Sequence, residues 1–166
     1  MKTLAILFVI GLLAARCSPA RTYMGSASDR AALEKTGTAI RDAFARGDID
    51  AVMAYHHPDV TKAFSFNTDT SQPFSYGKYV KGRDAVRAGL LAGFQAAHFE
   101  FIENRRESLL IRGGTAVEQT VFAIKITPKS GEPASVFSGR TVVVYVRYKK
   151  SPTGWASIRE VIQTAR

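Results

Sequence analysis

The stretch from residue 40 to residue 60 constrains the fold most, because it closes one helix, opens a second and leads into a strand. Gly47 suits the left-handed position that ends a helix. Asp48 is a good N-cap for the next helix, since its carboxylate accepts free backbone N–H groups. Pro58 and Asp59 then predict a turn, because proline presets φ. This order of elements favours a fold with a pocket, but it identifies no reaction.

The first twenty residues are typical of a secretory signal peptide. Lys2 gives a positive start, an apolar run extends from Leu4 to Leu13, and Ser18-Pro19-Ala20 places small residues where a signal peptidase cleaves. The run is too short for a membrane-spanning helix. We therefore expect cleavage after Ala20 and a periplasmic or secreted protein.

Two alternatives to a cleaved signal remain open. Cys17 could carry a lipid, although Arg16 directly before it argues against a lipoprotein site, and the segment could also stay uncleaved as an anchor. With cleavage, residues 21–27 form a loose leader and residues 28–166 a single domain without cysteine. Such a domain offers neither a disulfide nor a thiol.

Three helices are predicted in the first half of this domain. Ser26 or Ser28 can cap the first helix, whose apolar face recurs at helical spacing from Leu33 to Phe44. The second helix is short and follows Asp48. The third begins after Gly82, and its buried face contains Val86, Leu90 and Phe94.

Strands dominate the rest of the chain. A short pair is predicted at 60–67 and 74–80, on either side of the polar loop 68–73. From Phe99 onward, turn signals at Gly113-Gly114, 128–133 and 150–154 separate four strands. The sequence therefore predicts two helices, a short hairpin, a third helix and a four-stranded antiparallel meander.

This order resembles the nuclear-transport-factor-two-like superfamily, and in particular its SnoaL-like small domains. The local marks are Gly47-Asp48, the Pro58-Asp59-Val60 exit, Gly82 to Val86 and Gly154-Trp155. The resemblance implies an α+β fold in one domain, with a cone-shaped, curved antiparallel sheet wrapped around three N-terminal helices. It also implies an apolar cavity and frequent dimers through the sheet.

The resemblance does not settle function, since this superfamily contains isomerases, dehydratases, cyclases, hydrolases and non-catalytic binding domains. Ketosteroid isomerases of this fold use a tyrosine and two carboxylic acids in the cavity. Here the first helix offers Phe44 and no tyrosine, and Asp59 belongs to the predicted turn. The catalytic residues therefore stay unknown, and whether the protein is an enzyme stays open.

Other chemical motifs are weak. His56 and His57 are adjacent, and neighbouring side chains diverge, so ring stacking or capping is favoured over a metal site. The sequence has no Gly-x-Ser-x-Gly elbow and no glycine-rich phosphate loop. We expect neither a metal nor a cofactor.

The candidate ligand-binding residues are mostly aromatic and come from different elements. A cavity of this kind is apolar with a few fixed polar groups. Glu118 and Arg159 are the polar candidates within strands, with Arg159 as the cation that could hold an anionic ligand and Glu118 as its partner. The full set is Tyr55, Phe64, Phe66, Phe94, Phe101, Glu118, Phe122, Tyr145, Trp155 and Arg159.

The formal net charge of +9 falls to +7 when Lys2 and Arg16 are removed with the signal. Export argues against nucleic acid as a partner, whereas loose association with anionic envelope surfaces or an anionic ligand fits a basic protein. The strand from Val142 to Val146 is apolar on both faces. Since both sides of the sheet then need cover, we expect a homodimer.

The leading expectation for function is an exported small-molecule-binding protein with an apolar, anionic ligand. The first alternative is a cofactor-independent isomerase, dehydratase or cyclase that uses acid–base groups in the cavity. The second is a dimeric interaction domain that acts through its sheet face. Polar groups with shifted pKa in the cavity would favour the enzyme.

Overall fold

The computed structural model describes residues 25–65 and 76–165. The signal segment, Cys17 and Phe66 lie outside the described residues. The elements, in chain order, are α1 (Ala27–Arg46), α2 (Ile49–Met53), β1 (His56–Ser65), β2 (Tyr76–Lys81), α3 (Arg83–Ala96), β3 (Ala97–Arg112), β4 (Thr115–Pro128), β5 (Ser135–Arg147) and β6 (Trp155–Ala165).

The helix boundaries follow the predicted capping residues. Ser26 caps α1, and its hydroxyl accepts a hydrogen bond from the Asp29 amide. Gly47 ends α1 in the left-handed conformation, at φ 69°. The Asp48 carboxylate accepts a hydrogen bond from the Ala51 amide and so caps α2. The chain therefore reverses within two residues, which places α2 against α1.

The six strands form one curved, open sheet in the order β2-β1-β6-β5-β4-β3. The predicted meander from β3 to β6 is confirmed, with a hairpin at Gly113-Gly114. The α+β cone is confirmed as well. One pair departs from the expected antiparallel sheet, because β1 and β6 are parallel. Their pairing places the first strand of the chain beside the last one.

The turn expected at Pro58 and Asp59 is a distortion inside β1. The strand already begins at His56, opposite Ser157, and its regular pairing resumes at Thr61, opposite Arg159. Over this stretch β1 has four residues where β6 has one. Proline has no backbone N–H for the ladder, which is why it fits this irregular part of the strand.

Single-residue bulges bend the sheet at four more places, one of which is at Gly77 of β2. On β3 the pairing skips Ile102 and Glu107, and on β6 it skips Ile158. A bulge adds twist and shifts the alternation of side chains by one residue. The bulges therefore decide which residues face the helices (the inner face) and which face away from them (the outer face).

One end of the cone is filled by an apolar core. Leu33 of α1 packs there on Leu109, Ala116, Tyr145 and Trp155. The other end is covered by α2 and α3, whose buried side chains include Val52, Met53, Val86 and Phe94. Within the described part of the chain, no helix is long and apolar enough to cross a membrane.

Candidate functional site

A pocket of about 430 Å³ lies between the inner face of the sheet and the middle of α1. The wider part of its wall is apolar, with rings supplied by five elements. These rings and aliphatic side chains are Ile40, Phe44, Phe64, Leu90, Phe99, Phe101, Phe122, Ile124, Ile126, Phe137 and Ile162. A volume and lining of this kind suit a small apolar molecule.

Polar side chains are concentrated toward one end of the pocket. Across β1, β6, β5 and β4, strand pairing sets Lys62 beside Glu160, Glu160 beside Val143, and Val143 beside Glu118. All four residues line the pocket. Two carboxylates thus lie on one transverse row of the sheet, separated by a single valine.

Glu118 is held by β3 and by its own strand. Its Oε1 accepts hydrogen bonds from Arg106 Nε at 2.9 Å and from the Thr120 hydroxyl at 3.3 Å. Glu118 is only 5 % exposed, and its Oε2 is buried with no hydrogen-bond partner among the described residues. A buried carboxylate oxygen without a donor is costly. It is therefore a natural acceptor for a ligand's hydroxyl or N–H group.

Glu160 lies between two basic groups. Its Oε2 is 2.6 Å from Lys62 Nζ, and its Oε1 is 3.1 Å from His56 Nε2. The other ring nitrogen of His56 lies 2.9 Å from the Val52 carbonyl oxygen. The contact with Glu160 is an ion-pair distance only, because Nε2 has no hydrogen-bond partner among the described residues.

This environment sets the charge of Glu160. Burial raises its pKa, but the Lys62 ammonium and the His56 ring lower it by more, so the pKa ends well below its usual range. Glu160 is therefore a permanent carboxylate at neutral pH.

Tyr145 lies near both carboxylates, on the row of the sheet next to theirs. Burial raises its pKa well above the usual value, and the charges of Glu118 and Glu160 raise it further. The hydroxyl therefore stays protonated and can act as a hydrogen-bond donor at the polar end of the pocket.

Half of the predicted ligand-binding residues line this pocket. These are Phe64, Phe101, Glu118, Phe122 and Tyr145. Trp155 does not line it, since it is fully buried in the core under Leu33. Phe94 packs between helices against Phe44, and Tyr55 lies outside the lining. That the five lining residues bind a ligand remains a prediction.

Arg159 lies on the exposed outer face, so the prediction that placed it on the cavity wall is wrong. The reason is the bulge at Ile158. Ser157 pairs with the inward-facing Tyr145, but after the extra residue Glu160 pairs with the inward-facing Val143. The bulge thus brings Glu160 into the pocket and turns Arg159 away.

His57 and Asp59 lie away from the pocket. The His57 ring meets the Tyr148 ring edge-on, with centroids 5.0 Å apart. The Asp59 amide donates a hydrogen bond to His57 Nδ1, and its side chain is exposed. No cluster of potential metal ligands occurs within residues 25–65 and 76–165.

Sequence-based reasoning did not identify four charged residues of the site: Arg41, Lys62 and Glu160, which line the pocket, and Arg106, which is not a lining residue but pairs with Glu118. Regular alternation from the Gly113-Gly114 hairpin would turn Arg106 outward, but the bulge at Glu107 turns it inward, opposite Thr120. Lys62 lies between apolar Val60 and Phe64 at strand period, and that alternation was the available signal. Arg41 comes directly after Ile40, which belongs to the predicted buried face of the first helix.

The chain matches the model of the SnoaL-like domain over residues 38–157. This range begins within α1, contains α2, α3 and the strands from β1 to β5, and ends at the third residue of β6. No curated protein matches the chain.

Solved structures from several bacteria share the fold. A conserved protein from Planctomyces limnophilus is 17% identical with a TM-score of 0.68, over 83% of this chain and 97% of that chain. A protein from Streptomyces avermitilis, named as a dehydratase of the nuclear transport factor 2-like family, is 17% identical with a TM-score of 0.62, over 83% and 97%. A ketosteroid isomerase-like protein from Erwinia carotovora atroseptica is 17% identical with a TM-score of 0.60, over 82% and 95%. At these identities the likeness shows the fold alone.

Proposed function

This chain belongs to the SnoaL-like domain family, and we propose that its pocket binds a small, largely apolar molecule whose polar end contacts Glu118. The observation that carries the proposal is the contrast within one pocket. One part of its wall is formed by aromatic and aliphatic side chains, whereas another part holds a buried carboxylate oxygen without a hydrogen-bond donor among the described residues. Apolar contact would supply affinity, and the carboxylate would orient the ligand.

Binding of the neutral fluorescent probe N-phenyl-1-naphthylamine tests this proposal. Phe137→Ala removes a ring from the pocket wall, whereas Val136→Ala trims the neighbouring exposed side chain on the same strand. We expect the probe to bind the wild type and to bind Phe137→Ala about tenfold more weakly, since losing a ring contact costs about 1.5 kcal/mol. Val136→Ala should match the wild type. No binding to the folded wild type, or equal loss in both variants, would reject the proposal.

A second candidate function is acid–base catalysis without a cofactor. The observation that favours it is Tyr145, whose hydroxyl stays protonated, beside the Glu118 carboxylate, with which that hydroxyl interacts. Oε2 of this carboxylate has no hydrogen-bond partner of good geometry among the described residues. The carboxylate could take a proton from carbon next to a carbonyl while the tyrosine hydroxyl donates to the developing oxyanion. The Streptomyces and Erwinia proteins are named as a dehydratase and as isomerase-like.

Exchange of solvent deuterium into an apolar ketone such as 2-tetralone separates this candidate from simple binding. Catalysis predicts faster exchange with the wild type, at least about 100-fold slower exchange with Glu118→Gln, and a clear loss with Tyr145→Phe. The exposed Glu100→Gln serves as the matched control. If the ketone exchanges deuterium no faster with the wild-type protein than without protein, catalysis is rejected and only the binding function is left.

Export is part of the leading proposal, and it rests on the sequence of the first twenty residues. The protein recovered from outside the cytoplasm should begin at Arg21. N-terminal sequencing that found Met1 intact, or mass spectrometry that found a lipid on Cys17, would contradict this.

A further inference from the structure

We propose that Arg41 and Arg106 form a carboxylate-binding site over Gly37, so that the ligand is a largely apolar monocarboxylate that also carries a hydroxyl or N–H group for Glu118. This inference rests on the proposed function, because it names the ligand class of the same pocket. It replaces Arg159, which lies on the outer face, by two arginines that the sequence did not single out.

The site is defined by an absent side chain. Gly37 lines the pocket from α1, and a methyl group at this position would lie 3.3 Å from Arg41 Nη1 and 4.0 Å from Arg106 Nη2. Two guanidinium groups, one from the helix and one from β3, therefore face the same bare patch of helix backbone. A glycine in a helix interior costs about 1 kcal/mol relative to alanine, and here it leaves room between two cations.

The charges of the pocket leave one cation in excess. Arg106 is paired with Glu118 through Nε, and Lys62 is paired with Glu160. Arg41 has no carboxylate partner among the described residues, and its one polar contact is Nη2 with the Thr38 hydroxyl at 3.0 Å. Glu34, on the exposed side of α1, adds a weak electrostatic effect at Arg106 but forms no ion pair with either arginine. An anion can therefore enter without displacing an existing salt bridge.

The chemistry of the two groups points to a carboxylate. A guanidinium binds a carboxylate through paired N–H donors, and such charged hydrogen bonds are about twice as strong as neutral ones. Asn104, at the exposed mouth of the pocket, adds an amide donor. The apolar body of the ligand would then lie along Phe44, Phe101 and Phe122.

The test is displacement of N-phenyl-1-naphthylamine by 2-naphthoate and by 2-naphthamide, which have the same shape and differ in charge. With the wild type at low ionic strength, we expect naphthoate to compete about tenfold better than naphthamide. Arg41→Gln should reduce this preference to about twofold or less, and Arg41→Lys should keep an intermediate one. Arg159→Gln makes the same charge change outside the pocket and should keep the full preference.

The outcomes separate this inference from the function on which it rests. If the neutral probe does not bind the folded wild type, the proposed function fails. If the probe binds but naphthoate and naphthamide compete equally, the carboxylate site is wrong while the binding function stands. Equal loss of preference in Arg41→Gln and Arg159→Gln would also overturn it. The preference for naphthoate would then depend on the net charge of the protein and not on a site at Arg41.

Gly37→Ala provides a second variant in case Arg41→Gln does not fold. Its methyl group would crowd Arg41 Nη1 without changing any charge. Arg41 Nη1 is the end of a flexible side chain, so we expect the variant to fold, to lose part of the preference for naphthoate and still to bind the neutral probe. A full preference in Gly37→Ala would place the anion elsewhere.

Discussion

At the scale of single residues, the pocket depends on buried charges that are already paired. Glu160 with Lys62 and His56, and Glu118 with Arg106, each join neighbouring strands. Buried ion pairs add little net stability, but removal of one partner leaves an uncompensated charge, which costs about 3–5 kcal/mol. These residues are therefore expected to be sensitive to single substitutions and tolerant of matched double ones.

Lys62→Met should lower the free energy of unfolding by about 3 kcal/mol, because Glu160 would keep only His56 as its partner. The double variant Lys62→Met/Glu160→Gln should recover part of this loss. Urea denaturation at neutral pH measures both. The exposed Lys125→Met is the control. If Lys62→Met lowers the free energy of unfolding no more than the control does, the Lys62–Glu160 pair does not contribute this stability.

Stability should depend on the charge of Glu160 in acid. The pKa of this residue is well below its usual range in the folded protein, whereas an unfolded glutamate has a pKa of about 4.3. Its contribution is therefore complete above about pH 4.3 and is lost as the pH falls toward the folded value, by up to about 1.4 kcal/mol per pH unit.

Denaturation midpoints measured through this range should fall less steeply for Glu160→Gln than for the wild type. Glu100→Gln, on the exposed side of β3, should keep the wild-type slope. Identical slopes in all three proteins would show that Glu160 does not carry this acid sensitivity.

At the scale of helices and strands, sequence patterns predicted what local chemistry controls. Ser26, Gly47 and Asp48 mark helix ends by their own hydrogen bonds and backbone conformation, and Gly113-Gly114 fixes a hairpin. The bulges at Glu107 and Ile158 depend on how distant strands fit together, so no local signal revealed them. The bulge at Ile158 brings Glu160 into the pocket, and the bulge at Glu107 turns Arg106 inward to pair with Glu118. This is why the polar end was not predicted.

β5 and β6 approach each other closely at Gly139, where a larger residue would not fit. A Cβ at this position would overlap the Gln163 carbonyl oxygen and would lie 2.9 Å from the Thr164 Cα, both of which are backbone atoms. Gly139→Ala should therefore lower the free energy of unfolding by about 2 kcal/mol or more. Gly89→Ala, where nothing lies within 4 Å, should instead raise it by up to about 1 kcal/mol.

Thermal and urea denaturation of the two alanine variants give the comparison directly. Opposite signs are expected, because the strand backbone cannot give way, whereas α3 gains helix propensity. A neutral Gly139→Ala would show that β6 can shift away from β5 at little cost.

At the scale of the whole molecule, the outer face of the sheet lacks a cover within the described residues. Leu110, Val117 and Val144 are joined by strand pairing, and Val142 pairs with Val161 beside them. Leu110 is 44% exposed and Val161 36%. An apolar sheet face of this kind is suited to a second copy of the chain.

We therefore predict a homodimer through this face. Sedimentation at micromolar concentration should give twice the monomer mass for the wild type. Val144→Glu would bury a charge in the interface and should give the monomer, whereas Arg140→Gln, farther along the outer face of the same strand, should remain dimeric. A monomeric wild type would contradict the prediction.

The bulge at Ile158 also determines which substitutions β6 tolerates. Trp155, Ala156 and Ser157 are all fully buried, so every position before the bulge should reject polar or larger residues. Beyond it, the odd-numbered positions Arg159 and Val161 are exposed, while the even-numbered Glu160 and Ile162 line the pocket. Saturation mutagenesis of β6 should therefore show that every position before Ile158 is intolerant of substitution. After Ile158, only every second position should be intolerant. Deleting Ile158 would reverse this alternation. In a relative that lacks the bulge, an alignment without a gap would therefore place the residue matched to Arg159 in the pocket and the residue matched to Glu160 on the surface.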